Sequence, residues 1–343
     1  MLEDTNAELW KELTEKSYDP SKLPEVEDEY DEGAEVDGFL RSNSFKKAQE
    51  SGCKKTDTTT DAQPPSSSKT IKPSSATFTY TKREYDWKKV KESKKIFLIF
   101  GIEHFDKSCV WIDDKTGKRT KTVVNKRDGA KEDIARLTKT MVRLGFEVRI
   151  YHNPSKYVAE DILKIFKKID LSNIEVFGMA ISSHGSANNI IYLKDTHTDL
   201  NFFVDPIKSN ITLAAKPKLF FVNACRGKGI GKTHLVAQGN TVQKRWPYDA
   251  DCLIHFSTIE KQVSLRDRKT GSYFVSALCD VFDQLKSTNQ RDIHEVLAEV
   301  NRNVARLDPT PIEDRGEVLQ IPVIQSTLTT FLYLAPPFDW TYV

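Results

Sequence analysis

Short apolar runs of strand length alternate with amphipathic segments of helix length, and that alternation restricts this chain to a sheet covered by helices on both faces. Lys95-Ile96-Phe97-Leu98-Ile99-Phe100 reads as a first, fully buried strand. Asp133–Leu144 carries Ile134, Leu137, Met141 and Leu144 at helical spacing, with Gly145 as its terminator. Phe146–Tyr151 is a second strand, and Val158–Ile169 a second helix with Ile162, Leu163, Ile165 and Phe166 toward the sheet. Two more buried runs, Glu175–Ile181 and Lys218–Val222, follow. Asp251–Ser257 reads as a strand, Ser272–Leu285 and Ile293–Leu307 as helices, and Gln320–Leu328 with Phe331–Leu334 as a closing strand whose start Pro322 suits. The fold class predicted is α/β: three layers, with a mostly parallel central sheet of about six strands and helices on both faces. Continuous apolar runs are what parallel strands buried on both faces require.

Two of these strands end in chemically suggestive sequences. Ser182-Ser183-His184-Gly185 follows one, and Asn223-Ala224-Cys225-Arg226-Gly227 the other. In open parallel sheets ligands bind at the carboxyl ends of strands. A His and a Cys there can meet in one cleft as thiolate nucleophile and acid–base partner.

The second pentapeptide resembles the caspase signature, with Asn223 where the family has glutamine. From about Lys95 to Leu334 the order of elements also resembles a caspase catalytic domain. The resemblance implies a cysteine endopeptidase cleaving protein substrates after Asp, in apoptosis or related signalling, with no cofactor and no metal. It implies Cys225 as nucleophile and His184 as general acid–base, oriented through a backbone carbonyl rather than a third side chain. Gly185 and Cys225 N–H groups would form the oxyanion hole. Arg127 (in Arg127-Asp128-Gly129-Ala130) and Arg266 (in Ser264-Leu265-Arg266-Asp267) would bind the P1 carboxylate. Asn223 would assist them, Ser264 and Arg266 would hold substrate backbone, and the aliphatic Val263 and Leu265 would line S2. Two guanidiniums select a carboxylate and repel a basic P1 side chain, which disfavours a caspase-fold peptidase of basic specificity. A papain-type enzyme would place Cys ahead of His.

The chain divides by composition. Residues 1–85 form a leader predicted to be largely disordered, acidic and then rich in Ser, Thr and Pro; residues 1–40 carry fourteen acids against three lysines. A short helix near Ala7–Glu15, with Leu9, Trp10 and Leu13 on one face, is its one structured element. The leader lacks the several amphipathic helices of a death-fold module, as in invertebrate-type members of the family. Residues 86–227 correspond to a caspase large subunit, 228–247 to the intersubunit linker and 248–343 to the small subunit. The linker contains no acidic residue, so self-cleavage after Asp is not expected there. Asp37, in Ala34-Glu35-Val36-Asp37-Gly38, and Asp61 are candidate processing sites.

The net charge of +2 predicts no general attraction to nucleic acid or membrane. Met1-Leu2-Glu3-Asp4 does not start a signal peptide, and five scattered cysteines suit a reducing, cytoplasmic setting. The partners implied are P1-Asp protein substrates, a second subunit (identical or not) through the 320–334 strand, caspase inhibitors, and an adaptor docking on the leader. The alternative function is a catalytically weak homologue acting as scaffold, decoy or heterodimer regulator, a reading that Asn223 and the acid-free linker invite.

Overall fold

The chain begins with an amphipathic helix, α1 (Leu2–Lys16), and a three-residue strand, β1 (Ala34–Val36), before the sheet starts. The computed structural model describes residues 2–17, 34–36, 85, 94–106, 109–112, 119–122, 124–226, 248–308, 310–312 and 316–335. They all fall within one unit, Met1–Arg41 together with Arg83–Val343. In chain order there follow β2 (Lys94–Gly101), a hairpin of β3 (Cys109–Ile112) and β4 (Arg119–Thr122), α2 (Ala130–Arg143), β5 (Phe146–His152), α3 (Lys156–Lys168) and β6 (Ile174–Ser182). A small meander, β7 (Gly185–Ser186), β8 (Ile190–Tyr192) and β9 (His197–Asp199), leads to α4 (Asn201–Lys208) and β10 (Lys218–Asn223). The remainder is β11 (Cys252–Phe256), β12 (Leu265–Asp267), β13 (Gly271–Ser272), α5 (Tyr273–Asp283), α6 (Ile293–Ala305), β14 (Thr310–Ile312), β15 (Gly316–Val318) and β16 (Val323–Ser326).

The central sheet has the order β16-β11-β10-β6-β2-β5, with only β16 antiparallel to its neighbour. It matches the predicted six-stranded, mostly parallel sheet, and β16 begins directly after Pro322. Strand side chains alternate between two cores. Ile96, Leu98, Phe100, Phe220 and Val222 enter the core lined by α3 and α4. Phe97, Ile99, Leu219 and Phe221 enter the one lined by α2, α5 and α6. The chain crosses from β2 to β5 on one side and then to β6 on the other, so the sheet reverses direction between β2 and β6. That is the switch point at which an open sheet leaves a crevice.

Two parts of the leader are structured: the helix expected near Ala7–Glu15, which runs Leu2–Lys16, and β1, where the sequence suggested disorder. Helix α1 lays Leu13, fully buried, into the α3 core. Trp10 meets Phe166 edge-on at 6.3 Å, and Arg149 lies 4.9 Å over the Trp10 ring. Burying one leucine contributes roughly 1.5–3 kcal/mol, enough with these contacts to outweigh the polar composition. Leu9, Trp10 and Leu13 therefore face the domain's own core rather than an adaptor. The second part, β1, pairs with β12.

His255, central in β11, is fully buried between Phe221 and Phe274. Its Nε2 lies 2.8 Å from Asn301 Oδ1. Burial lowers its pKa to about 4, a shift that the Asn301 contact only partly opposes. The unfolded chain takes up this proton below about pH 6.5, whereas the folded chain resists until about pH 4. The stability due to the neutral ring is complete above pH 6.5 and is lost as pH falls toward 4, by about 3 kcal/mol in all. Urea unfolding at pH 7.5 and 4.5 should show that loss, and His255→Gln should be less sensitive to pH by about the same amount.

Candidate active site

Ser182 and Asn223 are register partners at the carboxyl ends of β6 and β10. His184 and Cys225 each lie two residues further along, so the parallel register itself puts the two side by side. Gly185 closes the junction. A Cβ there would overlap the Cys225 carbonyl oxygen and would sit 2.9 Å from Ala224 Cβ and 3.1 Å from the Ile190 carbonyl oxygen. The two strand ends therefore meet with room for hydrogen alone. Ser183 is tied on both sides, its N–H to the Asn223 carbonyl at 3.1 Å and its hydroxyl to the Tyr192 carbonyl at 2.6 Å.

His184 Nε2 lies 3.0 Å from the Asn125 carbonyl oxygen. A carbonyl can only accept, so Nε2 carries the hydrogen and Nδ1 is the basic nitrogen of the neutral ring. The expected backbone-carbonyl orienter is thus Asn125. Phe105 packs on the imidazole at 5.0 Å. Cys225 is buried, and its Sγ accepts the Ser264 N–H at 3.1 Å. Its thiol in turn lies 3.9 Å from the Ser264 carbonyl oxygen. Burial pushes the Cys279 thiol up to about 12 and raises that of Cys252, so neither resembles a nucleophile.

Arg127 and Arg266 are both essentially inaccessible. Arg127 donates to Ser182 Oγ at 2.9 Å and to Ser272 Oγ at 3.2 Å, and its guanidinium lies 3.5 Å from Asp133 Oδ2. Arg266 is the register partner of Ser272 and donates to the carbonyl of Asp128, next to Arg127, at 2.6 Å. The Arg266 guanidinium thus reaches the backbone beside Arg127. Gly129 makes the approach feasible: it takes φ +83°, and a Cβ there would come within 2.8 Å of the Asp267 carbonyl oxygen.

Asp133, at the first turn of α2, organises this floor. It accepts from Ser272 N at 2.7 Å, Ser272 Oγ at 2.5 Å and Asn223 Nδ2 at 3.1 Å. The Asn223 amide nitrogen also lies 3.0 Å from Ser182 Oγ and 2.7 Å from Ser272 Oγ, three acceptors for two hydrogens. Two buried cations against one buried carboxylate leave this region suited to one further anion. Ser264 hydroxyl donates to Asn223 Oδ1 at 3.3 Å. Val263 and Leu265 cluster with Cys225 and Val318, and Gln320 braces β12 by accepting the Leu265 N–H at 2.6 Å.

Asp133, Ser272, Asn125 and Gln320 were not singled out from sequence. A buried acid in a helix's first turn is the one usable signal among them; the others act through strand pairings that are long-range in sequence. Asp37, Asp61 and the linker lie outside the described residues. Among the described residues no group of His, Cys, Asp or Glu could hold a metal ion, and no helix is long and apolar enough to cross a membrane.

Comparison with known proteins identifies the family and the fold. The family model of the caspase domain matches residues 94–333. The chain is 30% identical over 245 residues to caspase-1 of Spodoptera frugiperda, spanning 68% of this chain and 76% of that one. It is 32% identical over 242 residues to caspase-7 of Gallus gallus, spanning 66% and 76%. The crystal structure of the Spodoptera frugiperda caspase-1 superposes with a TM-score of 0.60 at 26% identity, covering 76% of this chain and 95% of that one. With the sheet order, the His184 and Cys225 strand ends of β6 and β10 and the matched family model in agreement, this chain belongs to the caspase family of cysteine-type endopeptidases.

Proposed function

We propose that this protease cleaves proteins after Asp, with Cys225 as nucleophile and His184 as general acid–base. The observation that supports this reading is the shared register of Ser182 and Asn223, two residues before His184 and Cys225, with buried Arg127 bonded to Ser182 and buried Arg266 bonded to the backbone next to Arg127. The thiolate attacks the carbonyl carbon of the P1 residue. Gly185 and Cys225 N–H groups receive the oxyanion. His184 protonates the departing amine, then draws a proton from the water that hydrolyses the thioester. Arg127 and Arg266 bind the P1 carboxylate with help from Asn223, Ser264 and Arg266 hold substrate backbone, and Val263 and Leu265 shape S2. The cellular role is apoptosis or related signalling in the cytoplasm, and assembly with a second subunit, identical or not, runs through edge strand β16.

A second reading, a weakly active scaffold or regulator, draws on Asn223, whose amide is engaged by Asp133, Ser182 and Ser272. Tetrapeptides differing only at P1 separate the two. Full-length protein should turn over P1-Asp but not P1-Asn or P1-Arg, with activity lost in Cys225→Ala and raised by a kosmotropic salt that promotes dimerisation. Folded protein with no turnover in any condition would favour the scaffold.

A further inference from the structure

β12 is the middle strand of a three-stranded sheet, β1-β12-β13. Its partner β13 follows it directly in the chain, but β1 comes from the leader. An open strand edge next to a catalytic cysteine is where an extended peptide adds by backbone pairing. Here that edge is taken by the protein's own residues 34–36.

The register is informative. Ala34 lies opposite Asp267, Glu35 opposite Arg266 and Val36 opposite Leu265. The leader therefore runs antiparallel to β12, toward Ser264, whose N–H is bonded to Cys225 Sγ. The next residue in sequence is Asp37, followed by Gly38. The residue after Val36 is thus of the type that the two arginines, Arg127 and Arg266, are suited to bind, and the one beyond it is small. A random acidic tail has no reason to meet this one strand in this direction and phase.

We propose that residues 34–36 are a built-in ligand of the substrate groove, paired along β12 in the manner of a substrate strand, so that the leader competes in cis with external substrates until it is displaced or cut after Asp37. This rests on the P1-Asp reading above. Docking of α1 on α3 ties the leader to the domain, and such tethering gives an effective concentration on the order of 1 mM. Against a peptide-like dissociation constant of about 0.1 mM, within the ordinary range of substrate KM values, the leader weakens external binding about tenfold. Cutting follows the same chemistry as on any substrate. Cys225 sulfur bonds to the Asp37 carbonyl carbon, the Asp37–Gly38 bond breaks, Gly38 leaves as an amine, and water releases the thioester.

The test uses full-length protein in the Cys225→Ala background, where the leader stays uncut. A fluorescent P1-Asp tetrapeptide should bind about tenfold tighter when Glu35→Pro or Asp37→Asn is added. The proline removes a backbone donor opposite Arg266, whereas the asparagine changes only the P1 group. In otherwise wild-type protein at a concentration and salt where it is fully dimeric, the rate constant for cleavage after Asp37 should not change when catalytically dead Cys225→Ala protein is added in excess as a competing substrate. Equal peptide affinity in all three proteins, with wild-type P1-Asp turnover intact, would overturn the cis ligand and leave the protease reading standing. No P1-Asp turnover or binding at all would remove the P1-Asp reading and this inference with it.

Discussion

Gly185→Ala is expected to lower kcat/KM for a P1-Asp peptide by about a hundredfold or more, although no functional side chain is altered. The added methyl would overlap the Cys225 carbonyl oxygen, a backbone atom that cannot rotate away. The junction between the ends of β6 and β10 must then open by on the order of 1 Å. A misplacement of that size at reacting groups costs about a hundredfold in rate. The same substitution should lower stability by about 1–3 kcal/mol, the usual cost of forcing a carbon into packed space. Steady-state kinetics beside urea unfolding read both effects. Turnover within threefold of wild type would mean that the two strand ends need not touch for catalysis.

Arg127→Leu is expected to reduce P1-Asp turnover to background and to cost about 3–5 kcal/mol of stability, since it leaves Asp133 buried and uncompensated. The two losses have different origins and can be separated. Adding Asp133→Asn keeps acceptors and donors near Ser272 while removing the stranded charge, and should recover about half or more of the stability. Turnover should not return, because the guanidinium proposed to receive the substrate carboxylate is still missing. If turnover and stability recovered together in the double variant, Arg127 would be a structural cation and the P1 pocket would rest on Arg266 alone.

The sequence made the sheet legible because its strands are buried on both faces. Runs such as Ile96–Phe100 have few other uses, and the boundaries read for β2, β5, β6 and β10 agree with the structure to within a residue or two. The cleft was legible for a related reason: His184 and Cys225 sit directly after two of those strands. What escaped was short or dependent on distant partners. The β7–β9 meander and the β12–β13 pair have strands of two or three residues, too brief for a periodicity to register. Asp133 looked like one more polar residue on an amphipathic helix, and its role depends on Ser272 and Asn223, far away in sequence. The leader's helix was legible, but β1 and the docking of α1 on the domain were not, because composition measures whether a segment can fold alone, not whether a finished domain offers it a surface.

The pairing of β10 with β11 has a consequence for any protein cut between Arg226 and Tyr248. These strands are neighbours in register from Lys218 opposite Cys252 to Val222 opposite Phe256. Cys252 and Phe256 fill the core formed largely by residues 96–224, while Leu219 and Phe221 share the other core with Leu278 and Leu297. Neither piece has a complete interior of its own. A nick there makes two polypeptides but not two folding units. The halves should stay together on dilution, part only when the whole unfolds, and refold poorly from separated fragments.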